Sequence, residues 1–451
     1  MSRTLDKNAF IGKTGNISQG LPVKKKALLT IAFISIFLFS AVAGAWFVKP
    51  AMAETIIVPD DYPSIQEAIN AATQGDTIFV KKGTYEETEN QTLAIDKTLS
   101  LIGEDSQNTI IKLHPRWYPA WFSSPSYYDN PIEIAANDVK ISGFTITSEG
   151  GAISVTGNRT QIIGNMIKTG LDIGSGSHQT VAENTLAKGI DFYGSYSKIT
   201  SNMIAESNKG IRVGGFSNVV YGNHVTGVSK VPGISLHGDG NIIANNTVTN
   251  CQSGLVCVLY DAGSNNFVYS NKLISNVYGL QIDGGSNNTF YANYLIDNSI
   301  GVRIGSSEIL GKTAILHHNN FVGSIQQVSK STSYTAGYFD NGKEGNYWSD
   351  YNGRDADGDG IGDTPYIIDV NLQDRYPLMA PFDINSVTMQ LPEWANIPPS
   401  PSPSPSQEPT STPAAEPQQP EPLPETWIVA SAVTVAVIGI GLLVYFKKRK
   451  H

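Results

Sequence analysis

Residues 162–186 read IIGNMIKTGLDIGSGSHQTVAENTL and contain one short motif twice. An apolar residue comes three positions before an Asn, and a second comes two positions after it, as in Ile162, Asn165 and Ile167. The motif recurs at intervals of 18 to 26 residues, with its Asn at these positions: Asn165, Asn184, Asn202, Asn223, Asn246, Asn271, Asn293 and Asn319. Repeats of this length predict a solenoid.

Between the Asn motifs lies a second pattern, a Gly followed by apolar and polar residues in alternation. Examples are Gly170-Leu171-Asp172-Ile173 and Gly210-Ile211-Arg212-Val213. This alternation is the period of a β-strand, and one turn alone could not bury its few apolar side chains. We therefore predict an all-β fold, a parallel β-helix. Its Asn residues are expected at the bends, bonded along the stack. One inward column should consist of Ile162, Val181, Ile199 and Val220.

Composition divides the remaining chain into segments. A basic and then apolar N-terminus ending in Ala51-Met52-Ala53 indicates an export signal, with an uncleaved anchor as the alternative. Ser64 and Glu67 have capping-box spacing and predict a short helix over the open end of the solenoid. A Pro-rich stalk precedes twenty uncharged residues, enough for one bilayer crossing. The predicted segments are 1–53, signal peptide; 54–85, N-terminal cap; 86–337, β-helix repeats; 338–385, C-terminal cap; 386–426, Pro/Ser-rich linker; 427–446, transmembrane helix; and 447–451, basic cytoplasmic tail.

The charge balance argues against nucleic-acid binding. Charged residues make up 16% of the chain and the net charge is −9, whereas nucleic-acid binding needs a basic surface. The segments instead predict a single-pass cell-membrane protein with a monomeric extracellular domain and a cytoplasmic C-terminus. Four Asn residues open N-x-S/T sequons and are candidate glycosylation sites: Asn90, Asn158, Asn245 and Asn287.

One outward column of the predicted strands contains Asp172, Asp191 and Arg212. Stacked in register, these residues would be neighbours about 4.8 Å apart. Two adjacent carboxylates beside a cation can form a catalytic acid/base pair, as in a glycoside hydrolase or polysaccharide lyase. The same residues can equally form solvated ion pairs without catalytic function, which is the interpretation we favour.

The segment 114–131 interrupts the early coils and is rich in aromatic residues. Exposed aromatic side chains indicate a binding platform, here for sugar rings, whereas buried ones would only pack a long loop onto the solenoid. The candidate carbohydrate-binding residues are Trp117, Tyr118, Trp121, Tyr127 and Tyr128.

An acidic loop near the C-terminus has the spacing of a calcium site. Carboxylates occupy its positions 1, 3, 5 and 9, and a Gly stands at position 6. The candidate ligands are Asp355, Asp357, Asp359, Ile361 and Asp363. We expect structural Ca²⁺ there, with a solvated acidic turn as the alternative.

Residues 55–383 resemble the NosD-like β-helix family, especially membrane-anchored archaeal surface proteins. The similarity is strongest at Gly345-Asn-Tyr-Trp-Ser-Asp-Tyr351, and the opening Ile57-Val-Pro-Asp-Asp-Tyr62 is also typical. The acidic loop is similar to a thrombospondin type 3 calcium loop. The resemblance implies a right-handed parallel β-helix. It also implies either a periplasmic partner in copper delivery to nitrous oxide reductase or a domain that binds or cleaves carbohydrate.

Copper binding is disfavoured by the sequence. The histidines are scattered, and His317-His318 is the nearest approach to a cluster. Adjacent strand residues point to opposite faces, so these two should not bind one metal ion. The sequence thus favours a cell-surface module that binds extracellular polysaccharide or cell-envelope components, with a polysaccharide-cleaving enzyme and a copper-binding accessory protein as alternatives.

Overall fold

The computed structural model describes residues 53–87, 91–119, 127–257, 263–305, 314–330, 338–388 and 392–395. These residues form the predicted solenoid of parallel β-strands, with three long sheets that we call A, B and C. Residues 1–52, Asn90 and Trp121 lie outside the described residues, as do most of the linker, the predicted transmembrane segment 427–446 and the basic tail. Within the described ranges, no helix has the length and apolarity needed to cross a bilayer.

From β2 to β36 each turn contributes one strand to each sheet, in the order A, B, C, while β1 extends sheet A and β37 extends sheet B. Sheet A has 12 strands: β1 (Thr55–Val58), β2 (Thr77–Val80), β5 (Ser100–Gly103), β10 (Lys140–Ser142), β13 (Gln161–Ile163), β16 (Thr180–Ala182), β19 (Lys198–Thr200), β22 (Val219–Tyr221), β25 (Ile242–Ala244), β28 (Phe267–Tyr269), β31 (Asn288–Tyr291) and β34 (Ala314–His317). Sheet B also has 12: β3 (Gly83–Glu86), β6 (Thr109–Leu113), β11 (Thr145–Ser148), β14 (Met166–Ile167), β17 (Thr185–Leu186), β20 (Met203–Ala205), β23 (His224–Thr226), β26 (Thr247–Thr249), β29 (Lys272–Ile274), β32 (Tyr294–Ile296), β35 (Asn320–Val322) and β37 (Tyr347–Trp348).

Sheet C has 11 strands: β4 (Leu93–Ile95), β9 (Ile132–Ile134), β12 (Ala152–Val155), β15 (Gly170–Ile173), β18 (Ile190–Phe192), β21 (Ile211–Val213), β24 (Pro232–Leu236), β27 (Ser253–Cys257), β30 (Tyr278–Ile282), β33 (Ile300–Ile304) and β36 (Gln326–Lys330). Two antiparallel hairpins lie outside the three sheets, β7 (Trp117–Tyr118) with β8 (Tyr127–Tyr128), and β38 (Tyr366–Asp369) with β39 (Leu372–Asp374).

The core consists of inward columns that run through successive turns. Ile162, Val181, Ile199 and Val220 are register partners in adjacent strands, and each is at most 1% exposed. The predicted continuous stack is therefore confirmed. Each turn buries its apolar side chains against its neighbours, which is the source of stability in a solenoid.

The predicted Asn ladder occupies the bend from sheet A to sheet B. Asn202 shows the pattern, because its backbone N and its Nδ2 both donate to Oδ1 of Asn223, each at 2.9 Å. The same Nδ2 also donates to the carbonyl of Val181 in the preceding turn, at 2.9 Å. The ladder begins at Phe144, whose backbone N donates to Asn165, and it continues to Asn346. Every buried amide along it has a partner, as buried polar groups require.

Two further ladders were not predicted. At the bend from sheet C to sheet A, backbone N–H groups donate to the Asn side chains of the next turn in the series Asn218, Asn241, Asn266 and Asn288. At the bend from sheet B to sheet C, Asn276 accepts from the backbone N of Cys251 and donates to Asn298. Amide side chains thus support all three edges of the solenoid.

The N-terminal part contains one short helix, α1 (Ile65–Ala71). Its N-cap Ser64 accepts a hydrogen bond from the backbone N of Glu67 at 3.2 Å, as the capping-box spacing predicts. Ile65, Ala68 and Ile69 are buried in the same core cluster as β1 and β2. Helix α1 and strands β1 and β2 therefore bury side chains in the same N-terminal part of the core.

Toward the C-terminus, an aromatic stack continues the inward column of sheet B. The Trp348 ring lies 4.2 Å from Phe321 on one face and 4.2 Å from Tyr366 on the other. After β39 the chain turns back over earlier turns, where Phe382 and Asn320 exchange two hydrogen bonds of 2.8 Å. The C-terminal segment is therefore fixed to the outside of the solenoid.

Candidate functional site

The outer face of sheet C carries the polar column that the sequence predicted. Asp172 is the register partner of Asp191, and Asp191 is that of Arg212. The column continues through Ser235 and Val256 to Gln281 and Arg303. The predicted neighbours are therefore brought together, on strands β15, β18 and β21.

The charge pairing within this group differs from the expected one. Asp191 forms its ion pair with Lys209, which precedes β21, and not with Arg212. The Arg212 guanidinium lies over the Tyr193 ring at 5.3 Å from the ring centre. Lys209 lies in the turn before β21, so the alternation of residues within the strand does not identify it as the partner of Asp191. Its position directly before Gly210 is the sequence feature that could have identified it.

Burial makes the Asp172 carboxyl a weaker acid than an ordinary aspartate. It raises the pKa of the Asp172 carboxyl, and the neighbouring Asp191 carboxylate raises it further, while Lys209 opposes the shift. The hydrogen bond from Lys209 to Asp191 raises the pKa of the Lys209 ammonium. The Asp172 carboxyl group therefore keeps its proton to a higher pH than an ordinary aspartate does, and Lys209 is a firmly charged cation.

A cleft of about 450 Å³ opens beside Asp191, Lys209 and Arg212. This volume lies in the ordinary range of small-ligand sites. The cleft is lined by Asp191, Lys209, Gly210, Ile211, Arg212, Val231, Pro232, Ser235 and His237. The Lys209 side chain is 58% exposed and the Asp191 side chain 19% exposed, so the cation reaches solvent while its partner is covered.

A second Arg–Tyr pair lies farther along the same face. Arg303 is placed over the Tyr278 ring at 5.4 Å, and its guanidinium is 3.7 Å from the Asp283 carboxylate. Gln281 donates to Asp283 and accepts from the Ser253 hydroxyl at 3.1 Å. Strands β21 and β33 are four strand steps apart, so the two Arg–Tyr pairs are separated by about 19 Å.

The aromatic segment forms the β7–β8 hairpin between β6 of sheet B and β9 of sheet C. Tyr118 and Tyr127 stack with ring centres 4.8 Å apart. Trp117 is 53% exposed and Tyr127 55%, so their rings are available to a ligand. Tyr128 packs closely against Gly150, which is the packing role that the sequence also allowed. The hairpin emerges from the same edge of the solenoid as the turn that carries Lys209.

The acidic loop brings three of its predicted ligands together. Carboxylate oxygens of Asp355, Asp357 and Asp359 lie within 4.8 Å of one another. Asp355 accepts from the backbone N of Gly358 and of Gly360, at 2.7 and 2.9 Å, and these N–H groups lower the pKa of its carboxyl. Asp363 instead accepts from the backbone N of Ala356 at 2.8 Å. The backbone N of Ile361 donates a hydrogen bond to Oδ1 of Asp359 within the loop.

The expectation that His317 and His318 face opposite ways is wrong. Strand β34 ends at His317, and His318 has a φ of 58°, in the left-handed region, which turns its ring to the same side. The two Nδ1 atoms are 2.7 Å apart. Burial and the neighbouring His318 lower the pKa of His317 to about 4. Nε2 of His318 lies 3.0 Å from the Glu344 carboxylate.

The described sequons differ in accessibility. Asn245 and Asn287 are exposed, and each has left-handed backbone at a bend, with φ of 54° and 56°. Asn158 is half-buried, and its Oδ1 accepts from the backbone N of Ser177 at 2.8 Å. The first two Asn side chains are therefore the accessible ones.

A family comparison agrees with this architecture. Residues 133–353 match the family model described as periplasmic copper-binding protein (NosD). This part of the chain, just under half of its length, is similar to the NosD family. The NosD-like region begins within β9 and ends just after β37, so it contains the cleft and the His317–His318 pair but not the acidic loop. No curated protein sequence matches the chain.

Several solved structures share features of the fold. The catalytic unit of a thermostable GH87 α-1,3-glucanase from Streptomyces thermodiastaticus aligns with a TM-score of 0.48 and 16% identity over 67% of this chain and 71% of that one. The Dettilon tailspike protein aligns with a TM-score of 0.46 and 13% sequence identity over 66% of each chain. A PL6 family polysaccharide lyase from Pseudopedobacter saltans aligns with a TM-score of 0.42 and 13% sequence identity over 65% of this chain and 82% of that one.

The family description names copper, for which imidazole nitrogen is a suitable ligand. His317 and His318 of the NosD-like region bring two such nitrogens together, but their Nδ1 atoms are hydrogen-bonded to each other at 2.7 Å, so the contact leaves at most one of the two lone pairs free for an ion. The cysteines contribute nothing to this point, because both are free and buried in other turns. Burial raises the pKa of the Cys257 thiol to about 12, which keeps it protonated.

Proposed function

We propose that this protein binds extracellular polysaccharide along the outer face of sheet C. The observation that carries the proposal is the cleft lined by Asp191, Lys209 and Arg212. The Tyr193 ring stacks with the Arg212 guanidinium beside it. Cations, carboxylates and a hydroxyl provide donors and acceptors for sugar hydroxyl groups, and an exposed aromatic ring provides an apolar surface.

A polymer fits this surface better than a single sugar does. The second Arg–Tyr pair repeats the same chemistry about 19 Å away on the same face. The exposed rings of Trp117 and Tyr127 add a further contact region toward the N-terminal end of sheet C. A ligand crossing the strands would meet these three regions in turn, whereas one monosaccharide would meet only one.

Glycan binding by the purified full chain tests the proposal. A glycan array identifies a ligand, and calorimetry with that ligand then compares the wild type with Arg212→Gln and Tyr193→Ala. Each change should weaken binding about tenfold or more, since it removes a charged hydrogen bond or a stacking surface. Arg159→Gln is the matched control, because Arg159 pairs with Asp138 on a different edge of the solenoid. Equal binding by Arg212→Gln and the wild type would refute the proposal.

A polysaccharide-cleaving enzyme is the second candidate, and the raised pKa of Asp172 next to Asp191 favours it. The captured glycan is incubated with the protein and its products are separated by size. Turnover that is lost in Asp172→Asn and in Asp191→Asn, with binding retained, would establish the enzyme. Binding without products supports the binding module.

The acidic loop and the termini complete the proposal. Calcium in the loop of Asp355, Asp357 and Asp359 would hold the C-terminal end of the solenoid in place, which is supported by the convergence of the three carboxylates. The export signal and the apolar segment 427–446 would place the β-helix outside the cell on a stalk; the support for this location is the sequence alone.

A further inference from the structure

We infer that the polysaccharide bound at sheet C is acidic, with carboxylate or sulfate groups on its sugars. This inference rests on the function proposed above and adds the chemical class of the ligand. It is carried by a row of exposed lysines at the bend from sheet B to sheet C in four successive turns. We call this row the basic edge, and its members are Lys168, Lys188, Lys209 and Lys230. Three strand steps separate the first from the last, so the row spans about 14 Å along the solenoid.

Positive charge is confined to this one bend. In the same four turns, all of which the structure describes, the bends from sheet A to sheet B and from sheet C to sheet A contain no lysine or arginine. The bends that carry the basic edge contain one carboxylate, that of Glu206, so four lysines against one glutamate give a net charge of +3. The whole chain has a net charge of −9. A local positive field on an otherwise acidic protein selects an anionic ligand.

Most of this positive charge is not neutralised by the protein itself. Lys209 forms its ion pair with Asp191. For the other three lysines of the basic edge, the described residues provide no carboxylate partner. Lys188 and Lys209 also occupy equivalent positions in adjacent turns, two residues before the register partners Ile190 and Ile211. Like charges at such positions repel each other, and a bound anion would relieve this repulsion.

The basic edge continues into the cleft on sheet C. Lys209 lines the cleft, and so does Val231, which directly follows Lys230. Arg212 adds another cation, because its guanidinium lies over the Tyr193 ring and has no carboxylate partner among the described residues. A guanidinium can bind an oxyanion through two parallel hydrogen bonds. One anionic polymer can therefore contact Arg212 in the cleft and the lysines at its rim.

A single polymer strand fits this surface better than a bilayer or a nucleic-acid duplex does. The basic edge is one lysine wide in each turn and the chain as a whole is acidic, so a broad anionic surface would meet mostly negative charge. The carboxyl groups beside the edge oppose a bound polyanion only weakly. Lys209 neutralises Asp191, and burial raises the pKa of Asp172, which favours its uncharged form.

The test measures the binding of acidic polysaccharides and their neutral counterparts to the purified full chain by calorimetry. The probes are polygalacturonate with its carboxyl-reduced form, and dextran sulfate with dextran. At least one acidic polymer should bind about tenfold or more tightly than its neutral counterpart, and its affinity should fall as the salt concentration rises above about 0.15 M. Binding of polygalacturonate would assign the recognised charge to carboxylate groups, and binding of dextran sulfate alone would assign it to sulfate groups.

Variants of the basic edge locate the binding. Lys188→Gln and Lys230→Gln should each weaken binding of the acidic polymer about threefold, and the double variant about tenfold, because exposed ion pairs are individually weak. Lys272→Gln is the matched control, since Lys272 is an exposed lysine of β29 beside the opposite bend of sheet B and its loss should leave the affinity unchanged. Thermal unfolding of each variant checks that the fold is retained.

The failure of this inference can be told apart from the failure of the proposed function. Equal binding of acidic and neutral polymers, or an unchanged affinity in the folded double variant, would overturn the inference while polysaccharide binding stands. Absence of binding to any polysaccharide would overturn both. Binding to phosphatidylserine vesicles and to none of the polysaccharides would likewise overturn both and would assign the basic edge to a membrane surface.

Discussion

Asp374 accepts the last hydrogen bonds of the Asn ladder from Asn346. The backbone N of Asn346 donates to Oδ2 of Asp374 at 2.7 Å, and Nδ2 of Asn346 lies 3.3 Å from the same oxygen. Nε1 of Trp348 also donates to this oxygen, at 2.9 Å. Asp374 is fully buried, so the ladder and the aromatic stack end together on one covered carboxyl group.

This group should give the protein a measurable pH dependence. Burial raises the pKa of Asp374 to about 6, although the N–H donors oppose the shift. A raised pKa means that the folded state binds the proton more tightly than the unfolded state does. The contribution to the free energy of unfolding is therefore complete below about pH 4 and declines as the pH rises through about 6, by at most about 3 kcal/mol.

Asp374→Asn removes this titration while keeping the shape of the side chain. Thermal midpoints of wild type and variant are compared at pH 4.5 and 7.5 at constant ionic strength. The wild type should lose more stability than the variant between these two values. The same change in both proteins would show that Asp374 does not titrate in this range.

Asn223→Ala tests the ladder in the middle of the solenoid. The change leaves the backbone N of Asn202 without its acceptor at 2.9 Å and the carbonyl of Ile199 without its donor at 2.7 Å. Each unsatisfied buried group costs about 1–3 kcal/mol, so a loss of about 3 kcal/mol or more is expected by urea denaturation. Asn245→Gly is the control, because Asn245 is exposed and glycine retains its left-handed φ of 54°. A comparable loss in the control would contradict the assignment.

Gly210 and Gly164 should respond oppositely to a side chain. A Cβ at Gly210 would lie 2.0 Å from the carbonyl O of Gly233, and this contact is with backbone that cannot move aside. Gly210→Ala is expected to cost about 3 kcal/mol or to prevent folding. Gly164 has a φ of 67° and nothing within 4 Å of an added Cβ, so Gly164→Asn should cost less than about 1 kcal/mol. Soluble yield and thermal midpoint distinguish the two, and equal tolerance would refute the steric argument.

Calcium should stabilise the fold through the acidic loop. An ion that binds only the folded state adds about 2.7 kcal/mol at a concentration 100 times its Kd, so the thermal midpoint should rise by several degrees. Asp359→Asn removes one of the three convergent carboxylates and should abolish the rise. Asp96→Asn is the control, since Asp96 is exposed and far from the loop in sequence. A midpoint insensitive to EDTA in the wild type would argue against calcium.

The β-helix could be predicted because its strongest determinants are periodic. The apolar columns and the ladder from Asn165 to Asn319 keep one residue type at one place in every turn. The ladder at the bend from sheet B to sheet C escaped prediction because its positions vary in type, from Ser207 to Cys251 and Asn276. Side chains of different types can accept the same backbone hydrogen bonds at this bend, so the amino-acid sequence shows no repeated residue there.

The candidate site was predictable only where it lies within strands. Register placed Asp172, Asp191 and Arg212 side by side, but the partner of Asp191 comes from a turn. The His317–His318 geometry was missed because strand alternation was applied one residue too far. The residue before each ladder Asn is commonly Gly, Ser or Asn, as in Gly164, Ser201 and Asn245, and these residues have positive φ. That pattern marks His318 as a bend residue.

The ladder also makes the length of this molecule adjustable. Every interior Asn donates from its backbone N and Nδ2 to the Asn of the winding ahead, donates a second Nδ2 bond to a carbonyl of the winding behind, and accepts from the Asn there. The described series ends at Phe144 and Asp374. Deleting or duplicating one whole winding would leave matching partners at the new junction. Gene-level gain or loss of single windings could therefore lengthen or shorten the outer faces without rebuilding either end.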